Sequence, residues 1–479
     1  MNDMSIETRL CIANRFVTGE GEQIEVTNPA TEEVIATFAG ASAAQVNEAV
    51  EAARTAFDRG AWRDPIVRKY TIVKFADLIE ANRDRLMDLL VSEVGTPMSL
   101  KANHIDTPVA FMRWFAEHGT RDFTRQLGFN SAITGTSMIA YRPVGVVAAI
   151  SAFNYPLLIG LTKITSALAV GCTAVLLGSP LAPLTILALG ELAAEAGFPS
   201  GVLSFIAGGA QAGQALTSHP MVDKISFTGS VNVGREVMRQ AADGLRGVVL
   251  ELGGKSAAIM LPGVDLAKYA YSLHARYARN AGQGCGSPTR ILIEESRFDE
   301  FAELSRKAYE KIKVGDPRSA DTVVGPMITA QQRERVEQGV RNAVEAGATI
   351  LAGGGRPDIS KGWYTNPALV GNLDNNAWIA RNELFGPVSV VLTYKTVEEA
   401  ISITNDSDLG LKAYIFGDRK ECLRIAPELR VGTVQINGGS PLRPDAPMNG
   451  YKHSGLGAEW GEDGMREFLA PQHIDIALD

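Results

Sequence analysis

The sequence predicts an α/β protein built from two domains with largely parallel sheets, and three observations carry that expectation. At 479 residues the chain is too long for one core of ordinary size, so two domains, each burying an interior, are expected. From residue 144 short β-branched runs alternate with helical segments: VGVVAAIS, LLIGLTKITSALAV, TAVLL, LTILALGELAAEAG, GVLSFIAG, then DKISFTG and GVVLELGG. Between 256 and 430 the alternation returns with ILIEE, a charged helix around 297 to 313, PVSVVLTY and AYIFGD. Strands separated by helices pair in parallel through right-handed crossovers, and ligands of such sheets gather at the carboxyl ends of the strands. The boundary between the two domains is expected near Gly253.

The chain is expected to begin as helices. Residues 42 to 58 set Val46, Val50 and Phe57 among alanines at helical spacing, and residues 65 to 95 continue with a second amphipathic pattern. The tail, PQHIDIALD, alternates like a strand, and a terminal strand of this kind often pairs with another subunit's sheet edge. A dimer or larger assembly is therefore expected. No repeat of fixed period and no low-complexity segment is visible.

Composition narrows the partners. Charged residues are 21%, hydrophobic residues 46% and the net charge is −8, which suits a globular enzyme and not a nucleic-acid binder with its clustered basic surface. The first residues, MNDMSIETRLCIANRF, carry Asp3 and Glu7 and do not read as a secretory signal. The longest apolar run, from Ile164 to Leu177, is interrupted by Thr165, Ser166, Gly171 and Thr173 and falls short of the ~20 residues of a membrane helix. A cytoplasmic protein without membrane or nucleic-acid partners, acting on a small molecule, is expected. Cys11, Cys172, Cys285 and Cys422 show no CxxC or CxxxH spacing, which argues against a disulfide framework or a metal site.

Four places carry candidate chemistry. Cys285 lies in Asn280-Ala-Gly-Gln-Gly-Cys-Gly, where Gly282, Gly284 and Gly286 are expected to expose backbone and let a substrate reach the sulfur. A cysteine elsewhere would ordinarily be a small buried hydrophobe. Glu251 ends the strand run GVVLE before two glycines, so its carboxylate is delivered to a strand's end, where partial desolvation makes a better base. Phe227-Thr-Gly-Ser-Val-Asn-Val-Gly234 follows a strand and opens a helix, so Gly229, Ser230 and the first helical amides can face a diphosphate; it lacks GxGxxG and is a weak motif alone. Asn154, in Ala-Phe-Asn-Tyr-Pro after another strand, can donate its amide to a developing oxyanion or serve merely as a turn residue before Pro156.

In this order the four pieces resemble the aldehyde dehydrogenase superfamily, and the resemblance runs from NPATEEVIATFAG through PVGVVAAISAFNYP, FTGSVNVG, ELGGKS, NAGQGC, ELFGPV and GYKHSGLG. It implies that fold: a Rossmann-type cofactor domain (1–123 and 143–252), an α/β catalytic domain (253–455) and an oligomerisation ribbon (124–142 and 456–479). It implies Cys285 as nucleophile, Glu251 as base, Asn154 with the Cys285 amide as oxyanion hole, and Lys163 as a support for Asn154. It places NAD or NADP against Ile150, Ser151, Phe153, Ser179, Gly209 and Leu252, with Gly229, Ser230 and Gly234 on the diphosphate and Glu383 and Phe385 on the nicotinamide ribose. It implies oxidation of an aldehyde to a free acid in a homodimer or homotetramer. A coenzyme A acylating semialdehyde dehydrogenase, which lacks the glutamate, and a non-catalytic scaffold are the alternatives.

The sequence also departs from the family. Where most members carry Lys-Pro-Ser-Glu for the adenosine ribose, this chain has Leu177-Gly178-Ser179-Pro180. Ala152-Phe153 replaces Pro-Trp, and Met448-Asn449 replaces Phe-Gly. The expected aldehyde-facing residues Tyr155, Leu158, Ile159, Leu442 and Met448 are apolar, which favours a hydrophobic or aromatic aldehyde over a charged semialdehyde.

Overall fold

The computed structural model describes residues 6–128, 135–439 and 442–477, so part of segment 124–142 lies outside the described residues. The chain does not begin as helices. Four strands come first: β1 (Leu10–Ile12), β2 (Arg15–Val17), β3 (Gln23–Asn28) and β4 (Glu33–Ala39). The helix α1 (Ala43–Asp58) follows through a capping box, with the Gln45 amide donating to Ser42 Oγ at 3.3 Å and the Ser42 amide to Gln45 Oε1 at 3.1 Å. The amphipathic run at 65 to 95 is two helices, α2 (Pro65–Ala81) and α3 (Arg83–Val94). They break at Asn82, whose side-chain amide donates to the Leu78 carbonyl at 2.9 Å and so satisfies an end of α2.

After α4 (Thr107–His118), β5 (Arg125–Gln126) and β6 (Gly135–Pro143) comes the first parallel unit. It runs β7 (Val146–Ile150), α5 (Pro156–Ala169), β8 (Thr173–Gly178), α6 (Leu184–Ala196), β9 (Leu203–Ala207), α7 (Ala210–Thr217), β10 (Lys224–Thr228), α8 (Val231–Asp243) and β11 (Gly247–Glu251). The second unit runs β12 (Ser256–Met260), α9 (Leu266–Ala278), β13 (Pro288–Glu294), α10 (Phe298–Tyr309), α11 (Ala330–Glu345), β14 (Thr349–Gly353), β15 (Ala368–Gly371), α12 (Trp378–Arg381), β16 (Val388–Tyr394), α13 (Val397–Asn405), β17 (Leu409–Gly410), β18 (Lys412–Phe416), α14 (Arg419–Ile425) and β19 (Thr433–Ile436). The chain closes with β20 (Tyr451–Lys452), β21 (Gly455–Leu456), α15 (Gly461–Arg466) and β22 (Leu469–Ala477).

The first sheet is ordered β2-β1-β9-β8-β7-β10-β11-β21, and the second β14-β15-β16-β13-β12-β18-β19. β7 has β8 and β9 on one side and β10 and β11 on the other, so the winding reverses between β7 and β10. A crevice opens beyond the strand ends at such a reversal. Residues 252–255 step from β11 in the first sheet to β12 in the second. The second sheet is buried on both faces: along β12, Ala257 and Ile259 enter one core while Ala258 and Met260 enter another.

The apolar run Ile164–Leu177 is divided between the end of α5 and β8 by a turn at Gly171, whose φ is +104. No helix among the described residues is long and apolar enough to cross a membrane. The tail strand β22 finds its partner inside its own chain, pairing antiparallel with β6 along its whole length, and β6 pairs in turn with β5.

Candidate active site

A cavity of about 740 Å³ occupies the crevice. Ile150, Ser151, Phe153 and Asn154 reach it from the end of β7, Ser179 from the end of β8, Gly209 from the start of α7, Gly229 and Ser230 from the turn into α8, and Leu252 from the end of β11. Cys285, Glu383 and Phe385 close it from the second unit. Gly234 is not on its wall. It is a packing glycine, since a Cβ there would sit 2.6 Å from Leu252 Cδ2.

Cys285 is half-buried, whereas Cys11, Cys172 and Cys422 are buried. The loop before it winds through left-handed backbone at Asn280, Ala281 and Gly282 (φ +54, +54 and +69). Such a path is strained for side-chain-bearing residues and is kept by the contacts around it. Two of the three glycines serve close packing and not the path to substrate that the sequence suggested; at Gly284, which is partly exposed, a Cβ would meet only Ser287 Oγ, at 2.9 Å. A Cβ at Gly282 would overlap the Gly386 carbonyl, and one at Gly286 would come 2.8 Å from Lys412 Cδ, so they allow other parts of the protein to pack closely. Burial pushes the Cys285 thiol up to about 12, with the Lys412 ammonium opposing and the Glu251 carboxylate adding to it. A thiol held so high needs a base to take its proton.

Glu251, the last residue of β11, is 3% exposed, and neither carboxylate oxygen has a hydrogen-bond partner among the described residues. Burial, reinforced by the Glu459 carboxylate, pushes it well above the usual carboxyl range against the pull of Lys163 and Lys412. Lys163 does not support Asn154 directly. Two turns into α5 its fully buried ammonium needs a counter-charge, and it takes Glu459 together with Ser226 Oγ at 3.1 Å. Asn154 is held instead by the cysteine loop: its Nδ2 donates to the Gln283 carbonyl at 2.9 Å, and its own carbonyl accepts from Asn280 Nδ2 at 3.0 Å. An amide nitrogen carries two hydrogens, so one remains for a ligand.

At the turn into α8 part of the sequence reading holds: the first helical amides are free among the described residues, whereas Gly229 N–H and Ser230 Oγ are engaged. The Gly229 N–H is committed to the Glu251 carbonyl at 3.1 Å, and Ser230 Oγ caps the helix by accepting from Val233 N at 3.3 Å. The amides of Val231 and Asn232, in the first turn of the helix, have no partner among the described residues and remain for a diphosphate. Glu383 accepts from the Gly254 amide at 3.0 Å, and burial pushes its carboxyl up to about 7. Phe385 is left-handed (φ +56) and meets Phe153 edge-on at 5.8 Å. Sequence reasoning missed what holds it: Gln332 of α11 donates to the carbonyls of Leu384 (2.8 Å) and Phe385 (3.1 Å), and Arg335 one turn on donates to that of Glu383 (3.2 Å). The i, i+3 spacing of these residues on a helix was the available signal.

At the other end of the cavity Leu177, Ser179 and Pro180 stand where β8 ends. The polar groups there come from helices and were also missed: Thr217 donates to Gln240, and Gln240 donates to Glu236 at 3.1 Å. The five apolar candidates for the aldehyde wall do not line this cavity. Leu158 is buried, and Leu442 and Met448 pack against the first core. Tyr155 stacks on the buried His104 at 4.4 Å, and both feel the charge of Arg279.

An unpaired buried carboxyl, a half-exposed thiol and a spare amide hydrogen suit addition of sulfur to a carbonyl, with charge-stabilising donors in place. The model of the aldehyde dehydrogenase family matches residues 16–474. A putative aldehyde dehydrogenase, DhaS of Bacillus subtilis, is 36% identical over 98% of this chain and 96% of its own length. Among solved structures, an aldehyde dehydrogenase C (AldC) variant of Pseudomonas syringae complexed with NAD+ and octanal is 35% identical, with 98% and 97% of the two chains covered and a TM-score of 0.93. An E. coli NADP-dependent enzyme is 33% identical over 100% of both chains, with a TM-score of 0.95. A match along almost the whole chain in both sequence and fold means that this protein belongs to the aldehyde dehydrogenase family.

Proposed function

We propose that the enzyme oxidises a hydrophobic or aromatic aldehyde to its carboxylic acid through a thioester on Cys285, with Glu251 as base. The observation that carries this reading is the meeting of Cys285, Asn154, Glu383, Phe385 and the turn into α8 on one cavity. NAD(P) fits there. The free first-turn amides of α8 suit the diphosphate, Glu383 and Phe385 the nicotinamide ribose, and the end of β8 the adenosine ribose. When bound, the nicotinamide supplies the acceptor for the hydride leaving the substrate carbon.

The residues divide the remaining work. Glu251 takes the thiol proton, and Cys285 Sγ bonds to the aldehyde carbon while the carbonyl electrons move to oxygen. That oxyanion is met by the second hydrogen of Asn154 Nδ2 and the Cys285 N–H, which costs little reorganisation because Asn154 is already fixed by Gln283 and Asn280. Once hydride has left, a thioester remains. Glu251 gives the thiol proton up to solvent and then accepts a proton from water as that water attacks the acyl carbon; the carbon–sulfur bond breaks, the sulfur takes that proton back from Glu251, and the acid departs with the thiol restored. A retained Glu251 favours hydrolysis over transfer to coenzyme A.

Support for an apolar substrate comes from the octanal bound by the P. syringae relative. Arg279 beside Tyr155 makes acidic aldehydes the decisive competitor. The test is kcat/KM, read as reduced-cofactor absorbance, for aliphatic, terpenoid, aromatic and acidic aldehydes. An acidic aldehyde turned over best would overturn the substrate class and leave the mechanism standing. We further propose cofactor, catalytic and ribbon regions at the boundaries stated above, and a cytoplasmic homodimer or homotetramer. Four unpaired cysteines suit a reducing compartment, and the exposed outer edge of β22 suits pairing with another subunit.

A further inference from the structure

Lys412 opens β18 and is 9% exposed. Its stem lies against the residue after the cysteine, since a Cβ at Gly286 would come 2.8 Å from Lys412 Cδ and 3.2 Å from Cε. Lys163 and Lys224 are also buried, and each is neutralised by a carboxylate, Glu459 and Glu467. Lys412 makes no hydrogen bond or ion pair among the described residues. A cation without a counter-charge in a mostly buried setting is available to an anion that forms beside it.

We propose that Lys412 is a positioning residue for catalysis, holding its ammonium against the cysteine loop so that the Cys285 thiolate is favoured at the moment it forms. This rests on the reading of Cys285 as nucleophile. The charged groups around the thiol are Lys412 from β18, Glu251 from β11 and Glu383 from the segment before β16, and both carboxylates disfavour a thiolate. Glu251 is itself faced by Glu459, Lys163 and Lys412. Lys163 is already spent on Glu459, which leaves Lys412 as the cation whose charge reaches both the sulfur and the base. The proton leaving sulfur goes to Glu251.

The experiment is alkylation of Cys285 by iodoacetamide in the full chain without cofactor, followed by mass spectrometry of the peptide that carries it. Between pH 7 and 9 the rate follows the thiolate fraction. Lys412→Met is expected to slow alkylation about tenfold at each pH, a rise of about one pKa unit, while melting like the wild type. Lys412→Arg keeps a permanent charge and is expected to stay within about twofold of the wild type. If natively melting Lys412→Met alkylates at the wild-type rate, the proposal is overturned. If Lys412→Met does not fold, the Arg variant decides: a tenfold loss in a natively melting Arg protein overturns the proposal, and a near-wild-type rate supports it. Turnover by Cys285→Ala would instead defeat the nucleophile reading, and the alkylation comparison would still stand because it reads the sulfur directly.

Discussion

The two ends of the cavity are built on different principles. At the cysteine end the groups that hold the loops are engaged, Asn154 with Gln283 and Asn280, Glu383 with Gly254 and the backbone of Phe385 with Gln332, while the Glu251 carboxyl oxygens are left without partners among the described residues. At the β8 end the wall is Leu177, Gly178, Ser179 and Pro180, with Gln240 and Glu236 hydrogen-bonded to each other across one turn of α8. The difference teaches where precision is needed. Covalent chemistry depends on reacting atoms held at near-bonding distance, so small displacements are expensive, whereas the end that only anchors a ligand can exchange one hydrogen bond for another.

Removing the reacting atom should break the comparison most severely. Cys285→Ala is expected to lower turnover about a thousandfold or more, while Cys172→Ala stays near wild type, because Cys172 is buried with its thiol pushed up to about 12 and does not line the cavity. A steady-state assay of both variants checks it; appreciable activity in Cys285→Ala with loss in Cys172→Ala would reverse the assignment.

Glu251→Gln comes next. Deacylation is expected to slow about a hundredfold or more, so that mass spectrometry after mixing with aldehyde and oxidised cofactor finds an acyl group on Cys285. A burst of reduced cofactor with unmodified Cys285 would contradict this. The pH profile has a definite sign. Burial raises the Glu251 carboxyl, so the base form is lost at low pH and kcat rises with pH as the carboxylate forms; in Glu251→Gln that limb should flatten.

Asn154→Ala sharpens the comparison by leaving the sulfur and base in place. It removes one oxyanion donor and is expected to cost about 10²–10³ in kcat, with a smaller change in KM. An equal rise in KM at unchanged kcat would make Asn154 a ground-state binding residue.

The smallest effect belongs to the β8 end. Loss of the family's ribose-binding pair removes both a hydrogen bond and the like-charge clash that excludes a 2′-phosphate, so the enzyme is expected to discriminate weakly between NAD and NADP. Leu177→Lys with Pro180→Glu should tighten NAD by about two- to tenfold and raise the NAD over NADP ratio in isothermal titration. A wild-type preference for NAD of about a hundredfold or more would place selectivity in other residues, with Glu236 and Gln240 among the polar groups that line the same cavity.

Much was legible in the sequence because it is local. Alternation of β-branched runs with helical spacing marks β7 through β11 and β12 through β18, and Glu251 ends its strand as GVVLE before two glycines implies. The opening strands β1 to β4 were missed, since β1 is three fully buried residues whose pairing with β9 exists only in the folded chain. Asn82 breaks a pattern that reads as continuous, because its effect depends on one side-chain hydrogen bond.

By itself the sequence determined the alternation of strands and helices from β7 to β18, the strand ends at or beyond which Asn154, Gly229 and Glu251 lie, and the loop that carries Cys285. Those are properties of periodicity and of residue type at a strand's end. The tertiary structure decided which groups already have partners: that Lys163 serves Glu459, that Gly234 packs on Leu252, that the Gly229 amide is committed to Glu251, and that the Lys412 side chain, without a partner among the described residues, lies against Gly286. Hydrogen-bond capacity and desolvation are set by neighbours distant in the chain, so no local pattern encodes them.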